Sequence, residues 1–233
     1  MGFTEIHSHF IYGVDDGARC RADMELMLDA AHRQGISTLY STPHVAPGVH
    51  PFDWALYFDR LDEARSYCRY NRLPIDLRAG AEVMYTPLLD RHAADGDLPT
   101  LEGTNSVLME AAPGIDYAAL EGAVDVLERS GYDVILAHVE RYECLFHSSN
   151  ARRLQERHEV RYQVNCNSII NRPSIISGLF LHKWLKNGYI DYVASDAHDT
   201  RRRPFNIAGA YRVLRQKYGE KLAARVTGLE RSR

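Results

Sequence analysis

The sequence predicts an α/β fold, and two observations carry that prediction. Short runs rich in Ile, Val, Leu, Thr and Tyr alternate with longer segments whose apolar residues recur at helical spacing. Metal-competent side chains fall at the ends of the short runs, from His7-Ser8-His9 near the start to Asp196-Ala197-His198 near the end. Repeated strand-then-helix units of this kind make an α/β barrel or a doubly wound sheet. Side chains at i and i+2 of a strand share a face. The two pairs would therefore meet if the first and last strands of a closed barrel lay side by side. The 233 residues suffice for one barrel-sized domain, and no Pro/Gly/Ser-rich linker divides them. A single domain over residues 1–233 is expected.

The elements follow in order. The first strand is Thr4–His9, and the helix after it, Arg21–Gln34, carries Met24, Met27, Leu28 and Ala31 on one face and stops at Gly35. The second strand, Ser37–Pro43, runs into a loop at Val45–Phe52, and Asp53–Tyr70 follows as a helix with Leu56, Leu61 and Ala64. Asp76–Val83 and Ser106–Ala111 are the third and fourth strands, and Tyr117–Ser130 is a helix ending at Gly131. Asp133–Val139 and Arg161–Asn167 are the fifth and sixth strands. Helix Ser174–Lys186 leads to the seventh strand, Ile190–Asp196, and helices Phe205–Lys217 and Glu220–Val226 close the chain.

Composition narrows the function. No apolar run is long enough to span a bilayer, so membrane insertion is not expected. The N-terminus lacks the features of a signal peptide, and Ile6 stands where a myristoylation signal needs Ser or Thr, so a cytoplasmic protein is expected. Cys20, Cys68, Cys144 and Cys166 are widely spaced and expected to be reduced thiols. Residues 200–233 hold ten Lys or Arg against two Glu, while the rest of the chain carries 29 acidic against 18 basic residues. That acidic bulk argues against nucleic acid, which needs a positive track.

The strand ends carry the chemistry. His7 and His9 end the first strand, His44 the second, Glu82 the third, Glu110 the fourth, His138 the fifth, and Asp196 and His198 the seventh; Asp16 follows the first strand in Val-Asp-Asp-Gly. In α/β barrels, catalytic groups gather at the C-terminal face. Imidazoles mixed with carboxylates suit zinc, manganese or iron. Nine ligands exceed the needs of one ion and suit two or three, an arrangement that can clamp the oxygens of a phosphoryl transfer. Arg141, three residues beyond His138, and Arg203, five beyond His198, add guanidinium groups that bind phosphate.

The pieces E-I-H-S-H, V-D-D-G, S-T-P-H, G-A-E, L-M-E, A-H-V-E-R-Y and S-D-A-H, with a later R-P, resemble the PHP (polymerase and histidinol phosphatase) superfamily. Within it the chain is similar to the bacterial metal-dependent protein-tyrosine phosphatases of capsular and exopolysaccharide operons, from about Thr4 to about Gly219. The resemblance implies a distorted TIM-like (β/α)7 barrel and three divalent ions, commonly manganese, with iron, zinc or magnesium as alternatives. It implies that His7, His9, Glu82 and Asp196 hold one ion, that Glu82 bridges to a second with Glu110 and His138, and that Asp16, His44 and His198 hold the third. Arg141 and Arg203 would bind phosphate, and a metal-bridging hydroxide would attack it directly, without a phospho-enzyme. The implied partner is a phosphotyrosine-bearing protein, the tail of a tyrosine kinase that controls polysaccharide export; a homo-oligomer is allowed. Three departures stand out: Glu5 replaces the usual Asp, Ala111-Ala112-Pro113 follows Glu110 where an aromatic is common, and the C-terminus lacks the usual Asn-Pro helix start.

The same residues admit rival readings. The same site would serve a small-molecule phosphomonoesterase acting on a substrate such as histidinol phosphate. Cys166 to Arg172 forms a C-x5-R string, the mark of cysteine-dependent tyrosine phosphatases, but Ile169 and Ile170 are poor phosphate-loop residues and no Gly is present. Strand six is expected instead to turn Gln163, Asn165 and Asn167 towards the site. Tyr12 and Tyr85 would either stack on a phosphotyrosine ring or pack at the rim. His32, His50, His92, His147, His158 and His182 are expected to be ordinary histidines, with His50 the exception if its loop overhangs the site.

Overall fold

Parallel strands ring the centre of the molecule in the computed structural model, which describes residues 2–146, 149–171 and 175–229. The strands are β1 (Phe3–Glu5), β2 (Ile36–Tyr40), β3 (His44–Val45), β4 (Asp76–Arg78), β5 (Glu82–Met84), β6 (Ser106–Glu110), β7 (Asp133–Leu136), β8 (Arg161–Asn165) and β9 (Tyr192–Ala194). They form two sheets, β1-β2-β4 and β3-β5-β6-β7-β8-β9.

These sheets are parts of one closed ring. β2 and β3 lie on one strand path, broken at residues 41–43, and β4 and β5 on the next, broken at 79–81. Backbone bonds hold the paths together through the break: Ser41 N donates to Arg78 O (2.9 Å) and Glu82 N to Pro43 O (3.0 Å). At Gly80 a side chain would crowd Leu101 at 2.8 Å and Ser41 O at 3.2 Å, so the close approach here requires glycine. The last gap closes at Ser8, which bridges Ala197 in parallel. Beside it His9 N donates to Ala197 O (2.8 Å) and Asp196 N to His7 O (3.0 Å). Of the two architectures the sequence allowed, the chain adopts the seven-path barrel, distorted where its paths break.

Helices cover the outside. They are α1 (Arg21–Arg33), α2 (Trp54–Tyr70), α3 (Leu89–Asp95), α4 (Tyr117–Arg129), α5 (Asn150–Arg157), α6 (Cys166–Ile170), α7 (Ile175–Asn187), α8 (Ile207–Tyr218) and α9 (Glu220–Val226). α1 buries Met24, Met27, Leu28 and Ala31, as its spacing predicts. Asp53 caps α2 by accepting from Leu56 N (3.0 Å), and Asp116 caps α4 by accepting from Ala119 N (3.0 Å). The short helices α3, α5 and α6 were not anticipated. α6 corrects the sixth strand: β8 stops at Asn165, and Cys166 opens a helix. Asn167 therefore leaves the strand face and accepts from Asn206 Nδ2 (2.6 Å) instead of reaching the site.

Inside the ring a small apolar cluster of Ile6, Tyr40, Leu101, Leu108, Ile135, Ala137 and Ala194 plugs the barrel. Leu108 precedes Glu110 by two residues and Ala194 precedes Asp196 by two. The same inward face thus changes from apolar to carboxylate-bearing near the C-terminal mouth.

Candidate metal centre

The expected ligands occupy that mouth. Three groups of donor atoms each lie within 4.8 Å of one another: His7, His9, Glu82 and Asp196; His9, Asp16, His44 and His198; and His44, Glu82 and Glu110. Ions bound at about 2.1 Å need donors no more than about 4.2 Å apart, so each group has nearly the right size. The groups share members, which places them side by side. Glu82 is central: its Oε2 lies 3.0 Å from His7 Nε2, 3.4 Å from His9 Nε2 and 3.1 Å from His44 Nδ1. Its Oε1 meets His138 Nε2 at 2.7 Å, and His138 Nε2 lies 3.6 Å from Glu110 Oε2. His44 Nδ1 approaches Glu110 Oε1 at 3.0 Å, and Asp16 Oδ1 lies 3.4 Å from His44 Nε2 and 3.3 Å from His198 Nε2.

Divalent cations fit this donor set. His7 Nε2, His9 Nε2, His44 Nδ1, Glu82 Oε2, Asp196 Oδ1 and His198 Nε2 are buried and make no hydrogen bond among the described residues. Buried polar atoms normally find partners, and these converge on shared space. Backbone strain marks the same place: His138 (φ 36°) and Asp196 (φ 52°) adopt left-handed conformations that non-glycine residues rarely take.

A second layer of side chains orients the donors. Gln163 Oε1 accepts from His138 N (2.8 Å) and lies 3.2 Å from His7 Nδ1, leaving His7 Nε2 towards the cluster. Asp15 Oδ2 does the same for His9, 2.7 Å from its Nδ1, while Asp15 Oδ1 accepts from Gly17 N (2.9 Å). Carboxylate or amide partners of this kind fix the tautomer of a metal-binding histidine. Asn165 receives from Gln163 Nε2 (2.9 Å) and donates to Asp196 Oδ2 (2.9 Å). Glu140 Oε1 accepts from Asn165 N (2.9 Å) and Ser168 Oγ (2.8 Å). Gln163 and Asn165 face inward as the strand alternation predicts, whereas Asp15 and Glu140 are not among the residues the strand ends single out. The adjacent acids in Val-Asp-Asp-Gly were the available signal for Asp15. Glu5 spans the barrel seam, accepting from Ser195 N (3.0 and 2.9 Å) and His7 N (3.2 Å), and burial pushes its carboxyl up to about 7.

The arginines converge on one oxygen. Arg141 Nη2 and Arg203 Nη2 donate to Asp196 Oδ2 at 2.9 and 2.7 Å. Both guanidiniums are partly exposed, and each has five N–H donors, so donors remain for an anion at the mouth. Burial disfavours charge on His7 and His9, yet Glu82 and Asp196 beside His7, and Asp15, Asp196 and Glu82 beside His9, raise both imidazoles above their ordinary value. Burial opposes ionisation of Glu82 and Asp196, but the surrounding histidines hold both well below the usual carboxylate range. His198 differs: burial, then His9 and Arg203, push it down to about 4, which leaves it neutral.

Cys166 is fully buried, and burial pushes its thiol well above its ordinary value, unlike an activated nucleophile. Arg172, the far end of the C-x5-R string, lies outside the described residues, as does His147. Tyr12 is committed to α2: the Arg60 guanidinium sits 4.2 Å from its ring centroid, and its hydroxyl donates to Glu63 Oε2 (3.3 Å). Tyr85 packs against the core. His92 pairs with Asp97, His158 with Glu128 and His182 with Tyr218. His50 lines a cavity that also contains His44 and Glu110.

Comparison with known proteins points the same way. A family model described as capsular polysaccharide synthesis, CpsB/CapC, matches residues 3–230. The tyrosine-protein phosphatase CpsB of Streptococcus pneumoniae is 26% identical over 226 residues, covering 94% of this chain and 92% of that protein. The tyrosine-protein phosphatase YwqE of Bacillus subtilis is 28% identical over 224 residues, covering 96% and 88%. A crystal structure from work on YwqE and CpsB, described as unique metal-dependent tyrosine phosphatases, superposes with a TM-score of 0.84 at 28% identity and covers 94% of this chain and 89% of that one. The lactonase Lmo2620 of Listeria monocytogenes, at 11% identity and a TM-score of 0.64, shares the fold alone.

Proposed function

The chain belongs to the CpsB/CapC family of capsular polysaccharide synthesis, and from that membership we propose that it is a cytoplasmic metal-dependent protein-tyrosine phosphatase. Its substrate is a phosphotyrosine on a tyrosine kinase that controls capsule or exopolysaccharide synthesis. The observation that carries the proposal is the convergence of Arg141 and Arg203 on Asp196 Oδ2, beside three adjoining groups of ligand atoms. A hydrolase needs only the ligands; a pair of guanidiniums at their edge selects phosphate.

We assign His7, His9, Asp16, His44, Glu82, Glu110, His138, Asp196 and His198 as ligands of three ions, manganese first among them. Such ions supply Lewis acidity and lower the pKa of water. The chain's own residues do the rest. Arg141 and Arg203 give their outer N–H groups to the phosphate and offset the charge that builds on it. Their bonds to buried Asp196 hold both forks still while they do so. Gln163 and Asp15 keep the protons of His7 and His9 on Nδ1, so that each Nε2 stays a donor of electrons.

The test is an assay of metal-loaded protein on phosphotyrosyl peptide, histidinol phosphate and single-stranded DNA. Phosphotyrosine should be preferred, His138→Ala should lose about two or more orders of magnitude in kcat/KM, and Cys166→Ser should keep its activity. Loss in Cys166→Ser with retention in His138→Ala would overturn the metal mechanism. Preference for histidinol phosphate by orders of magnitude would make the enzyme a small-molecule phosphomonoesterase.

A further inference from the structure

We propose that the cavity between the loop at residues 45–52 and the end of β5 is an aryl subsite, which receives the ring of an aromatic phosphate ester whose phosphate sits at the metal centre. The proposal rests on the phosphatase function above and adds the feature that selects the leaving group.

The cavity has a volume of about 340 Å³. That falls at the lower end of the roughly 300–1,000 Å³ typical of pockets for small organic ligands. Val14, Ala46, Phe52 and Met84 give it apolar walls, and His44, His50 and Glu110 form its polar part. His44 and Glu110 belong to the cluster, with His44 Nδ1 3.0 Å from Glu110 Oε1. The cavity therefore borders the cluster, sharing His44 and Glu110 with it. The Phe52 wall is held in place, with its ring centroid 4.6 Å from Trp54 and 5.9 Å from Tyr57. Tyr57 is fully buried and donates to Ser41 O (3.3 Å).

Position around the barrel gives the direction. Arg141 follows β7 and Arg203 follows β9, whereas the cavity is walled from β3, β5 and the loop after β1. The guanidiniums engage non-bridging phosphate oxygens, which leaves the ester oxygen free to carry its substituent towards this side. An aromatic ring on that oxygen enters apolar surroundings and leaves water, while a short aliphatic ester leaves the cavity unfilled. The cavity on the other side of His198, about 520 Å³, also has apolar wall at Leu26 and Met27, but charged groups including Arg19, Asp199 and Arg201 make it mainly polar.

The experiment titrates metal-loaded protein with benzylphosphonate and with methylphosphonate, which share the phosphate-like head and differ by the ring. Wild type should bind benzylphosphonate about tenfold more tightly or better, on the scale of a ring partly removed from water. Ala46→Phe, which fills the cavity, should erase that preference and leave methylphosphonate affinity within about twofold; Phe52→Ala should reduce the preference by a different route, removing a wall. Equal affinity for the two ligands in wild type would overturn the subsite, as would a preference that survives in Ala46→Phe. Because the readout is binding, an aryl preference without turnover of phosphotyrosyl peptide would overturn the proposed function and leave the subsite standing.

Discussion

Gln163 makes one oxygen serve two histidines. Its Oε1 accepts from the backbone N–H of His138, which the left-handed turn at that residue directs inward, and faces Nδ1 of His7 3.2 Å away. Its Nε2 then reaches Asp196 through Asn165. A single amide on β8, the one strand path without a proposed ligand, thus sets proposed ligands on three others. Gln163→Ala is expected to leave the fold intact and weaken metal binding about 10- to 100-fold, the usual cost of losing such a partner. Metal titration checks this, and an affinity within about twofold of wild type would show that His7 orients itself. Glu140 acts one step further out, holding Asn165 N from a buried carboxylate.

At the scale of elements, the loop after β1 is shaped by its glycine. A Cβ on Gly17 would lie 2.0 Å from His9 O, so the chain can fold back over His9 only without a side chain there. This return brings Asp15 onto His9 Nδ1 and Asp16 opposite His44 and His198. Gly17→Ala should cost about 1–3 kcal/mol, as overpacking does, and should also weaken metal binding. Gly122, inside α4, has nothing within 4 Å of an added Cβ. Gly122→Ala should raise stability by up to about 1 kcal/mol and leave metal binding alone. Denaturation midpoints of the pair, compared with metal occupancy, check both. The contrast also shows what the sequence could convey. His7, His44, Glu82 and Glu110 were legible because each ends an apolar run, and a barrel brings such ends together whatever its details. α1 and α4 were legible because their apolar spacing and end signals agree. Asp15 was not, because its role depends on how sharply the chain returns at Gly17. The broken strand paths were not, because 41–43 and 79–81 read as continuous strand until Gly80 is seen against Ser41. α5 and α6 were too short for their periodicity to stand out, and α6 moved Asn167 out of the site.

At the scale of the molecule, the proposed ligands come from six of the seven strand paths, and Gln163 and Asn165 tie in the last. Cations at the mouth would therefore act as a clasp around the whole barrel. Metal that binds only the folded state stabilises it by about 2.7 kcal/mol at a hundredfold excess over Kd and about 4.1 at a thousandfold. For a chain of this length that amounts to a fall in Tm of about 5–15 °C on chelation, reversed by returning manganese. The size of the fall should depend on pH, and the sign follows from the histidines. In the metal-free cluster, His7, His9 and His44 are raised above their ordinary 6.5 by Glu82, Asp196, Asp15 and Glu110, although burial opposes the charge. A group raised in the folded state contributes stability that is full below its unfolded value and is lost as pH rises through the folded one. The chelated protein should therefore lose Tm as pH climbs above about 6.5, because protons that had balanced the buried carboxylates depart. Metal binding has the opposite dependence, since ligating imidazoles must shed those protons first. The gap in Tm between loaded and chelated protein should widen with pH. Thermal melts of both forms from about pH 6 to about pH 9 test this, and a gap that stays constant or narrows would mean that His7, His9 and His44 are not exchanging protons for metal.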